Sequence, residues 1–438
     1  MPLSSLKAKL ADRNYSVAFG EVVKINATII IARGLNVSIS DMVKVISNET
    51  NLETVGMVTE IDGPLFYITP FSFVEGFRSG DHVFLDSTGL NIPVGEGLLG
   101  RVVDPFMRPI DGKGSIASSK LAPIIKAPIA AMKRGMIDEV FSVGVKSIDG
   151  LLTCGKGQKL GIFAGSGVGK STLMGMIVRG ADAPIKVVAL IGERGREVPE
   201  FIEKNLGGDL TNTVIIVATS DDSPLMRKYG AFAAMSVAEY FKDKKQDVLF
   251  IMDSVTRFAM AQREIGLALG EPPTSKGYPP SSLTLLPQLM ERAGKEEGKG
   301  SITAFFTVLI EGDDMSDPIA DQSRSILDGH IVLSREMTDF GVYPPVHILN
   351  SASRVMNDII SDEHMQAVRK FRRLYTLLKE NETLIRIGAY IRGSDAELDE
   401  AIDKKEAMMQ FIAQGSTEII SFEESVSNLL QIMNISAA

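Results

Sequence analysis

A glycine-rich segment near the middle of the chain carries the clearest chemical signal. The residues at 164–171 read Ala-Gly-Ser-Gly-Val-Gly-Lys-Ser, follow an apolar run and precede helix-forming residues. Glycines let such a loop curl so that successive main-chain N–H groups face an anion, and the positive N-terminal end of the next helix adds to the attraction. In this pattern Lys170 binds the β- and γ-phosphates of a nucleotide, and the hydroxyl of Ser171 binds Mg²⁺.

This segment therefore predicts a nucleotide site with ATP and Mg²⁺ as its ligands. The predicted nucleotide-binding residues are Ala164, Gly165, Ser166, Gly167, Val168, Gly169, Lys170, Ser171 and Thr172. Ala164 stands where the general pattern has a glycine, so that position needs no backbone angle that only glycine adopts. A glycine-rich turn that binds nothing is the alternative, and the apolar run before the loop and the helix after it disfavour that reading.

Asp253 is the predicted second ligand of the metal. It directly follows the apolar run 248–252, which predicts a buried strand. Ligands of open α/β sheets bind at the carboxyl ends of the strands, where this carboxylate would lie. An apolar run followed by aspartate is common by itself, but the phosphate-loop pattern upstream favours a metal-binding role. We predict that Asp253 binds Mg²⁺ through water.

Glu193 is the predicted catalytic carboxylate. Hydrolysis needs a group that orients or deprotonates the attacking water. Glu193 lies just beyond the apolar run 185–191, in the segment Gly-Glu-Arg-Gly-Arg-Glu at 192–197, and should emerge at the same edge of the sheet. Glu197 in the same segment is the alternative, and it would otherwise lie beyond the direct ligands of Mg²⁺.

A parallel sheet is predicted to position these residues. Six strongly apolar runs alternate with helix-compatible stretches, and continuous apolarity is typical of strands buried on both faces of a parallel sheet. The runs are 160–164, 185–191, 214–218, 248–252, 302–309 and 331–333. The middle of the chain is therefore predicted to be an α/β domain of the phosphate-loop type.

The two ends of the chain show other patterns. Short β-rich runs broken by Gly, Asn and Asp from residue 17 to about 85 predict a small β-barrel. The Gly- and Pro-rich stretch that follows predicts a connection without regular elements, and from about residue 357 helical periodicity appears, with capping boxes at Ser394/Glu397 and Ser421/Glu424. The predicted domains are 1–90, 91–356 with 91–135 as the connecting segment, and 357–438.

Composition limits the classes of function. Apolar residues make up 45% of the 438 residues and charged residues 23%, which is typical of a globular protein. The net charge of −9 argues against nucleic acid as the main partner. The single cysteine, Cys154, allows no internal disulfide and no Cys-ligated zinc site. With no signal peptide at the N-terminus and no run long enough to span a membrane, we predict a cytoplasmic protein that does not insert into the membrane.

Three further segments carry a family resemblance. They are 149–158 (DGLLTCGKGQ), 277–281 (GYPPS) and 317–330, which contains DPIAD and RSILDGH. With these and the phosphate loop, nearly the whole chain resembles the ATPases of type III secretion, above all the flagellar export ATPase, which are related to the catalytic subunits of rotary ATP synthases. The resemblance implies an N-terminal β-barrel, a central RecA-like domain with a mostly parallel sheet and a C-terminal helical domain.

The resemblance also implies roles for single residues. It places the catalytic carboxylate at Glu193 and an arginine near the γ-phosphate at Arg257. A further arginine, Arg354 in the segment 351–354, would reach across a subunit interface as a finger, and such fingers contribute about 10³ to 10⁵ in rate. Tyr343 matches a residue that stacks on adenine, although a packed tyrosine in a turn is the alternative.

The function predicted on this basis is a ring-forming Mg²⁺-ATPase that energises protein export, with six copies in the ring. The implied partners are a stator-like regulator, a stalk protein, export chaperones with their substrates and a membrane export gate at the cytoplasmic side of the inner membrane. The alternatives are a catalytic subunit of a rotary proton- or sodium-linked ATP synthase, an RNA-translocating ring helicase and a non-catalytic nucleotide-binding ring subunit.

Two surface features complete the predictions. Leu3, Leu6 and Leu10 fall on one side of a possible short N-terminal helix that would dock a regulatory partner. The basic cluster 369–373 is interpreted as a solvated helix face, since basic runs on helices usually face water.

Overall fold

The structure of the chain is a computed structural model that describes residues 18–26, 28–72, 74–86, 89–118, 120–310 and 316–435. The predicted short helix with Leu3, Leu6 and Leu10 lies outside these residues. Within the described ranges, no helix is both long enough and apolar enough to cross a membrane.

The first six strands close into a barrel because their buried residues point to a common interior. They are β1 (Phe19–Ile25), β2 (Ile30–Arg33), β3 (Met42–Ile46), β4 (Glu53–Asp62), β5 (Leu65–Pro70) and β6 (His82–Leu85). They pair antiparallel in the order β1-β2-β5-β4-β3-β6, and β6 pairs back with β1. Fully buried Val22, Ile30 and Val45 are typical of the interior. The predicted barrel is confirmed.

The stretch after the barrel contains regular elements, so the expectation that it would contain none is wrong. Its strands are β7 (Asn91–Val94), β8 (Val102–Val103) and β9 (Lys120–Pro123). Strands β7 and β9 pair with each other, whereas β8 lies beside a strand of the central sheet. With frequent Gly and Pro the helices here are short 3-10 turns, Glu96–Leu98 and Ala131–Lys133, but a strand of two residues still forms where Val102 and Val103 are buried.

The central domain is built on a nine-stranded sheet. In chain order the elements are β10 (Val140–Phe141), α1 (Lys146–Leu151), β11 (Cys154–Gly155), β12 (Lys159–Ala164), α2 (Lys170–Gly180), β13 (Ile185–Glu193), α3 (Glu197–Glu200) with a π-helical turn (Phe201–Asn205), β14 (Thr213–Thr219), α4 (Pro224–Asp243), β15 (Val248–Asp253), α5 (Val255–Ala268), α6 (Pro280–Met290), β16 (Gly294–Lys295), β17 (Ser301–Leu309), α7 (Pro318–Ile326), β18 (Gly329–Val332), α8 (Arg335–Asp339) and β19 (Ala352–Ser353). All six predicted strands are present as β12, β13, β14, β15, β17 and β18, which confirms the mostly parallel sheet.

The order of the strands is β19-β18-β12-β17-β15-β13-β14-β8, with β16 paired to β17. Strands β16 and β19 are antiparallel to their neighbours, and the other pairings are parallel. Every residue of β12 and β15 is buried, because helices cover both faces of the sheet. Helix α2 and the C-terminal helices pack on one face, and α4, α5 and α6 pack on the other.

The C-terminal part is helical, as predicted. Its helices are α9 (Met356–Ile359), α10 (Asp362–Glu380), α11 (Glu382–Arg386), α12 (Ala396–Ile412) and α13 (Phe422–Met433). Ser421 caps α13 by accepting a hydrogen bond from the Glu424 N–H, as predicted. The cap of α12 is Asp395 rather than Ser394, because the Asp395 carboxylate accepts from two main-chain N–H groups and its charge suits the positive end of the helix.

The basic cluster 369–373 is not simply a solvated face. Arg372 is partly buried and donates hydrogen bonds to the carbonyls of Leu349 and Ser351. Lys370 lies 2.8 Å from the carboxylate of Glu400 on α12. The prediction is therefore wrong for Arg372, whose guanidinium joins the helical part to the segment before Arg354.

Candidate active site

The phosphate loop joins the carboxyl end of β12 to the first turn of α2. Ala164 ends the strand as a buried residue, and its carbonyl accepts a hydrogen bond of 3.1 Å from the Ile310 N–H. Gly169 has a φ of 100°, a left-handed conformation that a residue with a side chain rarely adopts. The loop thus takes the curled form predicted for it, and Lys170 begins the helix.

Three of the predicted functional side chains meet at this edge of the sheet. The Lys170 ammonium forms an ion pair with Asp253 and lies 3.6 Å from a carboxylate oxygen of Glu193. Thr307 donates a 2.7 Å hydrogen bond to the same Asp253 carboxylate. These residues come from β13, β15, β17 and the loop after β12, whose parallel strands bring their carboxyl ends together.

The charges in this cluster shift each other's pKa values. Burial alone would lower the pKa of Lys170, but the charges of Asp253 and Glu193 outweigh it and raise the pKa, so the lysine is a cation. Burial and the negative charge of Asp253 raise the pKa of Glu193 to about 7, although Lys170 opposes this shift. A carboxyl group that titrates near neutral pH is suited to accept a proton during catalysis.

Arg257 lies beside this cluster in the first turn of α5. Its main-chain N–H donates to the side chain of Ser254, which caps the helix. Its Nε is buried and has no hydrogen-bond partner among the described residues. A buried donor without a partner is unusual in a folded protein, and a bound anion could satisfy it. The guanidinium stem packs against Gly192, where an added Cβ would lie 2.7 Å from the Cβ of Arg257. A glycine is required there, next to Glu193.

Ser171 and Glu197 border a polar cavity of about 500 Å³ beside the start of α2. Glu197 is 39% exposed and lies 3.6 Å from Arg194, and it forms no ion pair with Lys170. The structure thus places Glu193 next to Lys170, whereas Glu197 contacts the cluster only through a hydrogen bond with Glu193 that helps to raise the pKa of Glu193. The carbonyl of Ser171 accepts a 2.6 Å hydrogen bond from Asn205 in the π-helical turn.

Tyr343 lies close to the phosphate loop. A Cβ added at Gly169 would be 4.0 Å from the ring atom Cε1 of Tyr343. The ring is 43% exposed, and the carbonyl of the same residue accepts a 2.7 Å hydrogen bond from the Gln414 N–H. An exposed aromatic face at the rim of the loop is available for stacking on a purine base.

Arg354 does not join the cluster of its own chain. It follows β19, and Ser353 pairs with Gly329 at the amino end of β18. The Arg354 N–H donates to the carbonyl of Asp328 at 3.0 Å, also at the amino edge of the sheet. The phosphate loop begins about five residues farther along the neighbouring strand β12, which is about 16 Å at roughly 3.3 Å per residue. The two groups therefore lie toward opposite edges of the sheet.

Some residues of the site were missed by reasoning from the sequence. Thr307 is a buried polar residue inside the apolar strand β17. Because a buried hydroxyl needs a hydrogen-bond partner, a threonine in this apolar run could have been recognised as a candidate site residue. Arg335 lies 3.4 Å from the carbonyl of Ser166 in the loop, and Asn205 contacts Ser171. Neither Arg335 nor Asn205 has a local pattern that would have identified it.

Comparison with known proteins identifies the family. A family model described as the ATP synthase alpha/beta family, nucleotide-binding domain, matches residues 144–353, and one described as the T3SS EscN ATPase C-terminal domain matches residues 360–431. The flagellum-specific ATP synthase of Helicobacter pylori is 68% identical over 434 residues, which cover 99% of this chain and 100% of that protein. The chain belongs to the family of flagellar and type III secretion ATPases.

Other relatives extend this result. The flagellum-specific ATP synthase of Bacillus subtilis is 48% identical over 94% of this chain and 95% of its own length. The solved structure of the assembled ATPase EscN from the type III secretion system of enteropathogenic E. coli superposes with a TM-score of 0.89 at 44% identity, covering 94% of this chain and 100% of that one. The resemblance inferred from the sequence motifs and the predicted fold class are confirmed.

Proposed function

We propose that the chain hydrolyses ATP in the presence of Mg²⁺, at sites formed between copies of itself, and thereby energises protein export. The observation that supports this most directly is the separation of the site into two parts. Lys170, Glu193 and Asp253 meet at the carboxyl edge of the sheet, whereas Arg354 lies toward the opposite edge.

The phosphate loop would hold the β- and γ-phosphates through its main-chain N–H groups and the ammonium of Lys170. Ser171 and Asp253 would hold Mg²⁺, which supplies positive charge next to the phosphates; their hydroxyl and carboxylate oxygens are ligands that this ion prefers. The buried Nε of Arg257, which has no partner among the described residues, fits an additional contact with the phosphates.

Glu193 would orient the attacking water and accept its proton. Its raised pKa of about 7 supports this role over that of Glu197, which forms no ion pair with Lys170. Tyr343 would stack on the adenine ring at the rim of the loop, where its side chain is partly exposed.

Arg354 would act on the nucleotide of the next copy. A contact in which one edge of a copy meets the other edge of its neighbour is heterologous, and such contacts close into rings when the rotation allows. The relative EscN has been solved both as an assembled ATPase and in complex with its central stalk EscO. We infer a ring of six copies with a stalk protein in its centre.

The remaining parts of the proposal rest on membership of the family. The ring would act at the cytoplasmic side of the inner membrane with a stator-like regulator, export chaperones and their substrates, and an export gate. Affinity purification of the tagged chain from its native cytoplasm tests this. Export chaperones or gate components in the eluate would support the role, whereas a homologous non-catalytic subunit and a rotary stalk would point to an ATP synthase.

Mixing two inactive variants tests the shared site. Lys170→Ala removes the phosphate-binding cation but keeps Arg354, and Arg354→Ala does the reverse. Each variant alone should hydrolyse ATP poorly, and a 1:1 mixture should recover activity toward about a quarter of the native rate, because random assembly in a ring leaves that share of interfaces intact. No recovery in rings that contain both variants would contradict the proposal.

A further inference from the structure

A second arginine lies beside Arg354 at the amino edge of the sheet. Arg324 is in the last turn of α7, and its main-chain carbonyl accepts a hydrogen bond of 3.3 Å from the Arg354 guanidinium. Both side chains are exposed. The segment that carries Arg354 is held firmly, because the side chain of Gln158 donates to Ser353 at 3.0 Å and Ser353 donates to the Thr153 carbonyl at 2.8 Å.

The two guanidinium groups, of Arg324 and Arg354, have no carboxylate partner among the residues that the structure describes. Guanidinium groups stay protonated, so each of these two exposed groups carries a positive charge that attracts anions. His330 adds no third charge, because burial and the nearby charge of Arg324 lower its pKa.

The cluster of Lys170, Glu193 and Asp253 at the phosphate loop lacks positive charge. The positive charge of Lys170 is shared by Asp253 and Glu193, two carboxylates within ion-pair distance. A triphosphate bound there adds more negative charge than the proposed Mg²⁺, Lys170 and Arg257 together balance. Further cations are therefore needed at that edge besides Mg²⁺, and the planar guanidinium matches a phosphate with two parallel hydrogen bonds.

We propose that Arg324 and Arg354 form one surface of two guanidinium groups that binds the nucleotide phosphates held by the adjacent copy. Arg324 is then a second residue that acts in trans, beside the predicted finger Arg354. This inference rests on the proposed shared site.

Arg324→Ala is the direct test, with Arg369→Ala as the matched control, because Arg369 is an exposed arginine on α10 away from the site. The Arg324 variant should lose about 10²- to 10³-fold in kcat, as enzymes do when one preorganised donor is removed, and the control should keep native activity. Mixing Arg324→Ala with Lys170→Ala should restore hydrolysis, since the second variant supplies Arg324 in trans. Arg324→Lys should retain part of the rate.

Other outcomes would overturn this inference. A loss that Lys170→Ala does not rescue would show a folding defect, and a loss that disappears at high protein concentration would show a contact with protein rather than phosphate. Native kcat in Arg324→Ala, together with an inactive Arg354→Ala, would reject Arg324 and leave the shared site intact. Native activity in Arg354→Ala would instead reject the shared site itself.

Discussion

At the scale of single residues, the site is a balance of charge around one lysine. Lys170 is 12% exposed and lies within ion-pair distance of two carboxylates. Nucleotide phosphates would compete with these carboxylates for the lysine. Asp253 is the better anchored of the two, because it also accepts a hydrogen bond from Thr307. In the proposed mechanism, a bound nucleotide would draw Lys170 away, Asp253 would keep Thr307 as a partner, and Glu193 would be free to act on water.

Glu193→Gln should abolish turnover without abolishing binding. The amide keeps the shape of the side chain but cannot accept a proton, so kcat should fall by about 10²- to 10⁴-fold. ATP affinity, measured by fluorescence of a labelled nucleotide, should change little. Glu197→Gln is the matched control and should remain active; full turnover in the Glu193 variant would show that this carboxylate is not the base.

Thr307→Val should weaken the binding of Mg²⁺. The change keeps the volume but removes the hydroxyl that positions Asp253, and loss of such a supporting contact typically lowers metal affinity about 10- to 100-fold. The measurement is the Mg²⁺ concentration that half-activates hydrolysis. Thr307→Ser keeps the hydroxyl and should behave like the native chain, and equal values for all three proteins would refute the role of Thr307.

Asp149 should make stability depend on pH. Burial raises its pKa to about 6, although the N–H groups of Val143 and Gly144 and the Ser142 hydroxyl donate to it. An unfolded aspartate has a pKa of about 3.9, so between these values the folded state binds one more proton and gains stability as the pH falls.

The measurement is the free energy of unfolding in urea from pH 7.5 to pH 5, compared with that of Asp149→Asn. The asparagine of the variant does not titrate in this range. As the pH falls below 6, the free energy of unfolding of the native chain should therefore rise relative to that of the variant, by up to about 1.4 kcal/mol per pH unit. Parallel curves for the two proteins would contradict the shifted pKa.

At the scale of elements, one buried arginine ties the segment after the barrel to the central domain. Arg292, just after α6, is fully buried and forms two hydrogen bonds of 2.9 and 3.0 Å with Glu239 on α4. It also donates to Ser236 and to the carbonyl of Ile124, which follows β9. A chain stretch rich in Gly and Pro is thus held to the central domain by a specific polar network, in addition to the hydrogen bonds between β7 and β9.

Arg292→Ala should destabilise the protein by about 3–5 kcal/mol, because it leaves Glu239 buried with little compensation. The loss should lie near the lower value, because the ammonium of Lys126, 3.2 Å from Glu239, still compensates part of the carboxylate charge. Chemical denaturation gives the difference, with the exposed Arg196→Ala as the control. If the loss comes from the uncompensated charge, adding Glu239→Leu should recover part of it, and no recovery would assign the loss to packing.

At the scale of the whole molecule, the two parts of the proposed site lie toward two different edges of the sheet in one copy. The phosphate loop and its cluster lie at the carboxyl edge of the sheet, and Arg324 and Arg354 lie at the amino edge. One chain cannot join these edges without losing its sheet. Under the proposed function, completion of the site would require a second copy, and repetition of the same contact would lead to a ring.

Specific activity should accordingly rise with protein concentration at saturating ATP. Each complete site needs two copies, so dilution below the assembly range should lower the rate per chain. Sedimentation velocity at the same concentrations shows whether assembly follows the same curve. Arg354→Ala should give a low rate independent of concentration, and an unchanged rate per chain in fully dissociated native protein would refute the shared site.

The sequence alone determined the features that depend on neighbouring residues. The phosphate loop, the six apolar strands and the cap at Ser421 follow from contiguous patterns, because backbone curvature, burial on two faces and capping act over a few residues. Lys170, Glu193 and Asp253 were predicted to meet because each follows a parallel strand.

Only the tertiary structure decided the contacts between distant parts of the chain. The contact of Arg257 with Gly192, the hydrogen bond from Thr307 and the place of Arg354 at the opposite edge depend on the strand order β18-β12-β17-β15-β13. Apolar periodicity shows that a strand is buried, but it carries no information on which strand lies beside it. Strand order follows from how all helices and strands pack together, so these contacts had to be read from the folded chain.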